Sequence, residues 1–179
     1  MSTSLLLEAP SLVNLVQWQP APPLCAGPEM AALIPFHSNC VWQGTVAANG
    51  MGPGSPAMTA VGKGTFTPLM DGAWLAGDFE QEQFLDGKVI ITWKAHYVVG
   101  WDPRAQEYKI TYVDNNGSAA LMRGHLAGNC FIVETLPGAP VQLRLTWTLA
   151  GPGQVHWRNE CAVNGGSWFL VEEYLCTNV

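Results

Sequence analysis

The chain of 179 residues carries little charge, and most of that charge is negative. Asp, Glu, Lys and Arg make up 12% of the residues, whereas about 25% is usual for a soluble domain. Eight basic residues against 14 acidic ones leave a net charge of −6. Because a nucleic-acid groove needs clustered positive charge, we expect no nucleic-acid partner.

Long apolar runs are also missing. No run reaches the roughly 18 residues that a membrane-spanning helix needs. The N-terminal stretch from Ser4 to Pro10 has neither the basic start nor the long apolar segment of a secretory signal. We therefore predict a cytoplasmic protein that has no membrane partner.

Metal, redox and common catalytic motifs are absent from the sequence. The five cysteines are odd in number and no two have C-x-x-C spacing, so we expect free thiols and no zinc site. There is no P-loop, H-E-x-x-H, G-x-S-x-G or G-x-G-x-x-G motif. Any chemistry is therefore expected to need no cofactor and to consist of acid–base steps on a bound molecule.

Aromatic and aliphatic side chains are plentiful. The chain has 8 Trp, 4 Tyr and 6 Phe, and 48% of its residues are hydrophobic, which excludes a disordered chain and favours one packed domain. Four prolines without hydrophobic periodicity predict an irregular arm over residues 1–27. Residues 28–179 are then one domain, which begins with a short helix that Pro35 ends.

From residue 40 onward, β-branched and aromatic runs alternate with turn sequences such as Asn49-Gly50, Asp86-Gly87 and Asn164-Gly165. These runs predict ten strands, near 40–48, 58–68, 73–84, 88–101, 107–114, 118–126, 129–135, 140–149, 154–163 and 167–176. Ten sequential antiparallel strands are too many for a flat sheet. The all-β fold we predict is an up-and-down barrel, with a sandwich as the alternative.

Five segments occur in an order that resembles a known family. They are CVWQGTV at 40–46, the step from Gly62 to LMDGAWL at 69–75, VGWDP at 99–103, the strand 108–114 and GGSWF at 165–169. The order is similar to that of a calycin-like (lipocalin-like) family known only as domain of unknown function 1579, which reads G-x-W-x-G, G-G-x-W-L and G-Y-D. Cys40, Asp71 and Trp101 depart from this pattern.

The resemblance implies a calycin-like barrel with a pocket for one small hydrophobic or aromatic molecule. Eight to ten strands enclose a lumen about wide enough for one ligand, which agrees. Related barrels include the haem-binding nitrobindins, which use an axial histidine on a late strand. The one late histidine here, His156, shares its strand face with Arg158 and Glu160, which favours the outer surface.

Acid–base chemistry in an apolar lumen requires titratable side chains, and the strands offer five candidate catalytic residues, namely Asp78, Glu80, His96, Tyr97 and Tyr112. The two acids share a strand face with Trp74, Ala76 and Phe84. That face can line a partly polar cavity, or it can point into solvent.

The strand at 88–101 has two registers. In one, Trp93, Tyr97 and Trp101 line the lumen; in the other, Lys94 and His96 enter it. We predict the first, because the aromatic side chains gain more from burial.

The candidate ligand-binding residues are five tryptophans, which can form an aromatic wall, and one arginine on the polar face of an amphipathic strand, which either points into solvent or crosses the lumen: Trp42, Trp74, Trp93, Trp101, Trp147 and Arg144. Together these observations predict a barrel that binds a small apolar or aromatic molecule and catalyses a cofactor-independent isomerisation, cyclisation or lyase step. The alternatives are a carrier or sensor without activity and a nitrobindin-like haem protein. A homodimer is compatible with the sequence.

Overall fold

Ten antiparallel strands form most of residues 26–179, the part of the chain that the computed structural model describes. A short helix α1 (Pro28–Ala31) and a 3-10 turn (Ile34–Phe36) precede them, and a second 3-10 turn (Met70–Gly72) lies between the second and third strands. The strands are β1 Cys40–Val46, β2 Met58–Leu69, β3 Trp74–Leu85, β4 Lys88–Asp102, β5 Glu107–Asp114, β6 Ala119–Ala127, β7 Cys130–Thr135, β8 Val141–Gly151, β9 Gln154–Val163 and β10 Phe169–Asn178.

The sheet closes on itself. Each strand pairs with the next along the chain, and β1 pairs with β10 from Cys40 opposite Asn178 to Val46 opposite Glu172. Closure leaves no strand edge unpaired. The predicted up-and-down barrel is therefore confirmed, and a sandwich is excluded.

The period-two pattern decides which side chains fill the barrel. In β4, Ala95, Tyr97 and Val99 are buried, whereas Lys94 is exposed and His96 half-exposed. The strands β3 and β4 meet at Asp86-Gly87, where both residues have positive φ, the backbone shape of a type I′ hairpin turn. Local sequence therefore fixes both the turns and the alternation.

The N-terminal segment closes one end of the barrel. Leu33 is fully buried, and Met30 and Phe36 join the same core cluster. The phenol of Tyr108 donates a hydrogen bond to the Glu29 carbonyl, with 2.7 Å between the oxygen atoms, and so ties α1 to β5. Phe36 of this cap lines the open space inside the barrel.

The arm expected over residues 1–27 lies outside the described residues except for its last two positions. Within residues 26–179, no helix has the length and the apolar character needed to cross a membrane.

Candidate ligand cavity

A cavity of about 310 Å³ runs through the barrel, from Phe36 and Ser38 beside the α1 cap to Met51 and the β5–β6 turn at the other end. It reaches the surface at the β5–β6 turn, where the exposed residues Asn116 and Ser118 belong to its lining. Ten aromatic side chains line it: Phe36, Phe66, Phe79, Trp42, Trp93, Trp147, Trp157, Tyr97, Tyr112 and Tyr174. The volume is at the lower end of the range for small-molecule pockets, roughly 300–1,000 Å³, so the cavity suits one small ligand.

One side of the cavity carries a hydrogen-bonded cluster, which we call the polar wall: Trp42, Gln81, Asn159, Glu172 and Tyr174. Trp42 Nε1 donates to Gln81 Oε1 at 2.9 Å, and Gln81 Nε2 donates to the Tyr174 hydroxyl at 2.9 Å. Strands β1, β3, β9 and β10 each contribute at least one of these side chains. The cluster therefore exists only because the barrel closes.

Glu172 is the centre of the polar wall. Its Oε2 accepts hydrogen bonds from the Tyr174 hydroxyl and, at 3.4 Å, from Gln81 Nε2, while its Oε1 accepts one from Asn159 Nδ2 at 3.2 Å. Burial raises the pKa of Glu172 above its usual range, although the three donors partly oppose the rise. A carboxyl group in this setting keeps its proton to higher pH than an ordinary glutamic acid does, and it can exchange that proton with a bound molecule.

A second acidic group lies at the mouth. Asp114 Oδ2 accepts hydrogen bonds from the Tyr112 hydroxyl at 2.8 Å and from Trp93 Nε1 at 3.4 Å. Burial alone would raise the pKa of Asp114, but the backbone N–H groups of Ser118 and Asn116 and these side-chain donors outweigh it, and the pKa is lowered. Asp114 therefore places a fixed negative charge at the entrance.

The part of the cavity lining beside His37 contains a hydroxyl group that has no hydrogen-bond partner within the described residues. Tyr97 is 6% exposed, and its hydroxyl makes no hydrogen bond within the described residues. Burial raises the pKa of this phenol well above its ordinary value, so it stays protonated. Its hydroxyl is free to donate to, or accept from, a bound molecule.

His37 lies behind Tyr97, in the cap. Its ring packs against Tyr97, Phe66, Phe131 and Trp147. Burial lowers the pKa of His37 to about 4, so the ring is neutral. A neutral ring that donates from Nδ1 to the Leu33 carbonyl, at 3.3 Å, leaves Nε2 without a partner.

Two thiols also line the cavity. Cys40 and Cys176 are buried on the neighbouring strands β1 and β10. All four cysteines in the described residues are free, while Cys25 lies outside that part of the chain. Within residues 26–179, no three or more His, Cys, Asp or Glu side chains are grouped so that they could hold a metal ion.

The comparisons with known proteins decide the family. A model of the family described as "Protein of unknown function (DUF1579)" matches residues 39–149, which is more than half of the chain. The chain belongs to this DUF1579 family. The calycin-like resemblance seen in the sequence is thereby confirmed.

A solved structure has the same fold as this DUF1579 protein. The crystal structure of Rv2717c from M. tuberculosis superposes with a TM-score of 0.62 and 13% sequence identity, over 86% of this chain and 99% of that one. Among curated proteins, no match was found. At this identity the likeness shows the barrel and says nothing about a shared ligand.

The barrel brings several of the sequence-predicted residues together around the cavity: Tyr97, Tyr112, Trp42, Trp93 and Trp147. Trp101 faces inward as well, but it lies toward the cap and packs edge-on against Tyr108. It is core and does not line the cavity.

Three of the predicted catalytic residues lie on the outer surface instead of in the lumen. Asp78 contacts His96 at 2.7 Å, and Glu80 forms ion pairs of 3.0 Å with Lys63 and Lys94. The two acids do share a face of β3, as predicted, but that face points into solvent. The inner face of β3 instead carries Phe79, Gln81 and Gln83.

Two of the predicted ligand-binding residues are also outside the cavity. Trp74 has the same outward parity as Asp78 and its ring covers Gly100 of β4. Arg144 forms an ion pair with Glu160 at 2.9 Å and its guanidinium stacks over Trp168. Both interactions bury part of a large side chain on the barrel exterior, so neither residue crosses the lumen.

None of the four histidines, all of which lie in the described part of the chain, lines the cavity. His96, His125 and His156 are on the outer face, and His37 is enclosed by the rings of the cap. The haem alternative therefore has no imidazole facing the cavity as an axial ligand.

Sequence reasoning missed Glu172, Gln81 and Asn159. One signal was available: adjacent strand residues point to opposite faces, so one of Glu172 and Glu173 must face the lumen in either register. The structure places Glu172 inside, while Glu173 lies outside beside His156 at 3.7 Å. The partners of Glu172 come from residues up to 91 positions away, and no local pattern indicates them.

Proposed function

We propose that this protein binds one small, largely apolar molecule in the barrel cavity and holds the polar group of that molecule at the polar wall. The observation that carries the proposal is the buried carboxyl of Glu172 in an otherwise aromatic cavity. A buried carboxyl group costs stability unless its interactions compensate. The presence of this carboxyl group in an open cavity supports a role in ligand binding.

Binding can be tested with N-phenylnaphthylamine, a neutral probe whose fluorescence increases in apolar surroundings. The wild type is expected to bind one probe molecule per chain. Leu145→Trp should reduce this binding strongly, because Leu145 lines the cavity and the larger ring fills it.

The matched control is Leu121→Trp, which adds the same ring at a side chain that is 63% exposed on the outer face. This variant should bind the probe as the wild type does. Equal binding by the folded Leu145→Trp protein, checked by circular dichroism, would show that the lumen is not the binding site.

Acid–base catalysis is the second candidate function, and it rests on Glu172 together with Tyr174. The Tyr174 hydroxyl is hydrogen-bonded to the Glu172 carboxyl group, so a proton can pass along this bond. Once a bound substrate has displaced water from the cavity, such a pair can move a proton between two atoms of that substrate, as an isomerisation, cyclisation or lyase step requires. A carrier or sensor would use the same groups only to orient its ligand.

The protonation state of Glu172 can be measured directly by infrared spectroscopy. Infrared titration should show a protonated carboxyl band that persists to higher pH than that of an ordinary glutamic acid, and Glu172→Gln should lack this band. Glu173→Gln, at the adjacent outward position, should keep it. Absence of the band in the wild type at mildly acidic pH would remove Glu172 as a general acid. Recovery of an unchanged ligand after incubation would favour the carrier.

A further inference from the structure

The charges and unpartnered atoms around the cavity identify a class of ligand, an inference that rests on the proposed binding function. Within residues 26–179, every charged residue of the lining is acidic, namely Glu172 and Asp114, and no Lys, Arg or His is part of it. A carboxylate or phosphate ligand would therefore find no positive charge to pair with in this lining and would meet the negative charge of Asp114.

Most of the lining atoms that lack a hydrogen-bond partner are acceptors, and they also favour a ligand that donates. Within the described residues, the buried side-chain atoms of the lining that have no partner are Gln83 Oε1, Asn159 Oδ1 and the Tyr97 hydroxyl. The first two only accept hydrogen bonds. Gln83 is 2% exposed, so its acceptor meets little solvent and gains most from a ligand that donates.

Most donors near the carboxyl groups are already engaged. Tyr174, Gln81 and Asn159 donate to Glu172, while Tyr112 and Trp93 donate to Asp114. The surroundings of Glu172 and Asp114 therefore offer few free donors to an acceptor group of a ligand. The two carboxyl groups can accept hydrogen bonds from a donor group of a ligand.

The aromatic lining also tolerates positive charge. Ring faces carry negative electrostatic potential, and they attract ammonium groups that have left water. An ammonium beside Glu172 would in addition be paired with an opposite charge, which offsets its desolvation.

We propose that the ligand is an amine: a small aromatic or aliphatic ammonium ion whose apolar part fills the ring-lined space and whose nitrogen donates to Glu172 and to the free acceptors of Asn159 and Gln83. Binding such a cation favours the ionised form of Glu172, and the proton that Glu172 releases passes to the buffer. The amine affinity therefore increases as the pH rises through the titration of Glu172, until the amine itself loses its proton.

Several other titratable groups face Glu172 and its surroundings. They are Tyr174 on β10, and Tyr112 and Asp114 on β5; β3 and β9 contribute the neutral Gln81 and Asn159. Cys176 lies two residues beyond Tyr174, and Cys40 lies at the opposite end of β1 from the register partner of Glu172. The pKa values of both phenols are raised and that of Asp114 is lowered. Glu172→Gln leaves all of these groups in place, so it isolates the contribution of Glu172.

The test uses three ligands of one shape, naphthylmethylamine, naphthylmethanol and naphthoate, measured by titration calorimetry at neutral pH. The amine should bind roughly ten- to a hundredfold more tightly than the alcohol, as expected for a buried charge-assisted contact, and naphthoate should bind weakest. Glu172→Gln should remove most of the preference for the amine over the alcohol. Glu173→Gln, which makes the same change in charge on the outer face, should keep it.

A second measurement does not depend on any variant. Calorimetry of the wild type in buffers of different ionisation enthalpy, at a pH at which the infrared titration finds Glu172 protonated, should show proton release with the amine and none with the alcohol. Alcohol binding equal to amine binding, tightest binding of naphthoate, or an unchanged amine preference in the folded Glu172→Gln protein would overturn the amine assignment and leave the binding function standing. Failure of all three ligands and of N-phenylnaphthylamine to bind would overturn both.

Discussion

Replacing His37 by phenylalanine should make the free energy of unfolding less dependent on pH in the mildly acidic range. His37 is 5% exposed and is enclosed by four aromatic rings. Burial lowers its pKa from 6.5 to about 4, partly opposed by the hydrogen bond to the Leu33 carbonyl. Phenylalanine fills similar space among the rings and has no proton to gain.

The direction of the pH effect on the free energy of unfolding follows from the proton binding of His37 in the folded and unfolded states. The unfolded histidine takes up a proton near its ordinary pKa and the folded one only near pH 4. Between these values the unfolded state binds more protons, so stability falls as the pH drops. A difference of about 2.5 pK units at roughly 1.36 kcal/mol per unit amounts to about 3 kcal/mol below both pKa values, of which about 2 kcal/mol is lost between about pH 7 and pH 5.

Urea unfolding followed by tryptophan fluorescence at these two pH values measures the effect. The wild type should lose about 2 kcal/mol more than His37→Phe on acidification. Loss of the hydrogen bond to Leu33 shifts the variant equally at both pH values. Glu172, whose raised pKa acts in the opposite sense, is present in both proteins and cancels in the difference.

His125→Phe is the matched control, because His125 is an exposed histidine on the outer face of β6. This variant should keep most of the pH dependence of the wild type. If His37→Phe and the wild type lose equal free energy on acidification, His37 takes up its proton in the folded state at an ordinary pKa, and the argument from burial is refuted.

Three further outcomes are expected. Asp78→Asn and Glu80→Gln should leave N-phenylnaphthylamine binding unchanged in fluorescence titrations, because both acids lie on the outer face; a clear loss of affinity in either would contradict that placement. Gly62→Ala should lower the free energy of unfolding by about 1–3 kcal/mol, since its new methyl group would lie 2.4 Å from the Trp42 ring. Gly151→Ala, where the methyl group would meet only a side chain 3.7 Å away, should unfold like the wild type. Thiol titration of the denatured, non-reduced protein should find five reactive groups, and a count of three would reveal a disulfide.

The strands were predictable because their signals are local. Alternation and turn residues such as Asp86-Gly87 act over a few positions, and all ten predicted strands overlap the observed ones. In β4 the aromatic residues identified the inner face, because Trp93 and Tyr97 gain more from burial than Lys94 and His96.

Composition misled the interpretation of β3. Trp74 and Phe84 on one face suggested an inner wall, yet that face lies in solvent, where Asp78 and Glu80 pair with residues of β2 and β4. The opposite face has two glutamines, Gln81 and Gln83, whose polar groups gave no reason to place it inside. Gln81 is satisfied there only because Trp42, Glu172 and Tyr174 of other strands bond to it.

The sequence by itself determined an all-β chain of ten strands, its turns, its family and the alternation of buried and exposed positions, since each depends on neighbouring residues or on the order of motifs. Only the tertiary structure decided which face of β3 is inside, and it alone united Glu172 with partners on three strands. The physical reason is that a buried carboxyl group becomes tolerable through hydrogen bonds. Those bonds come from residues far apart in the chain, which meet only when the barrel closes.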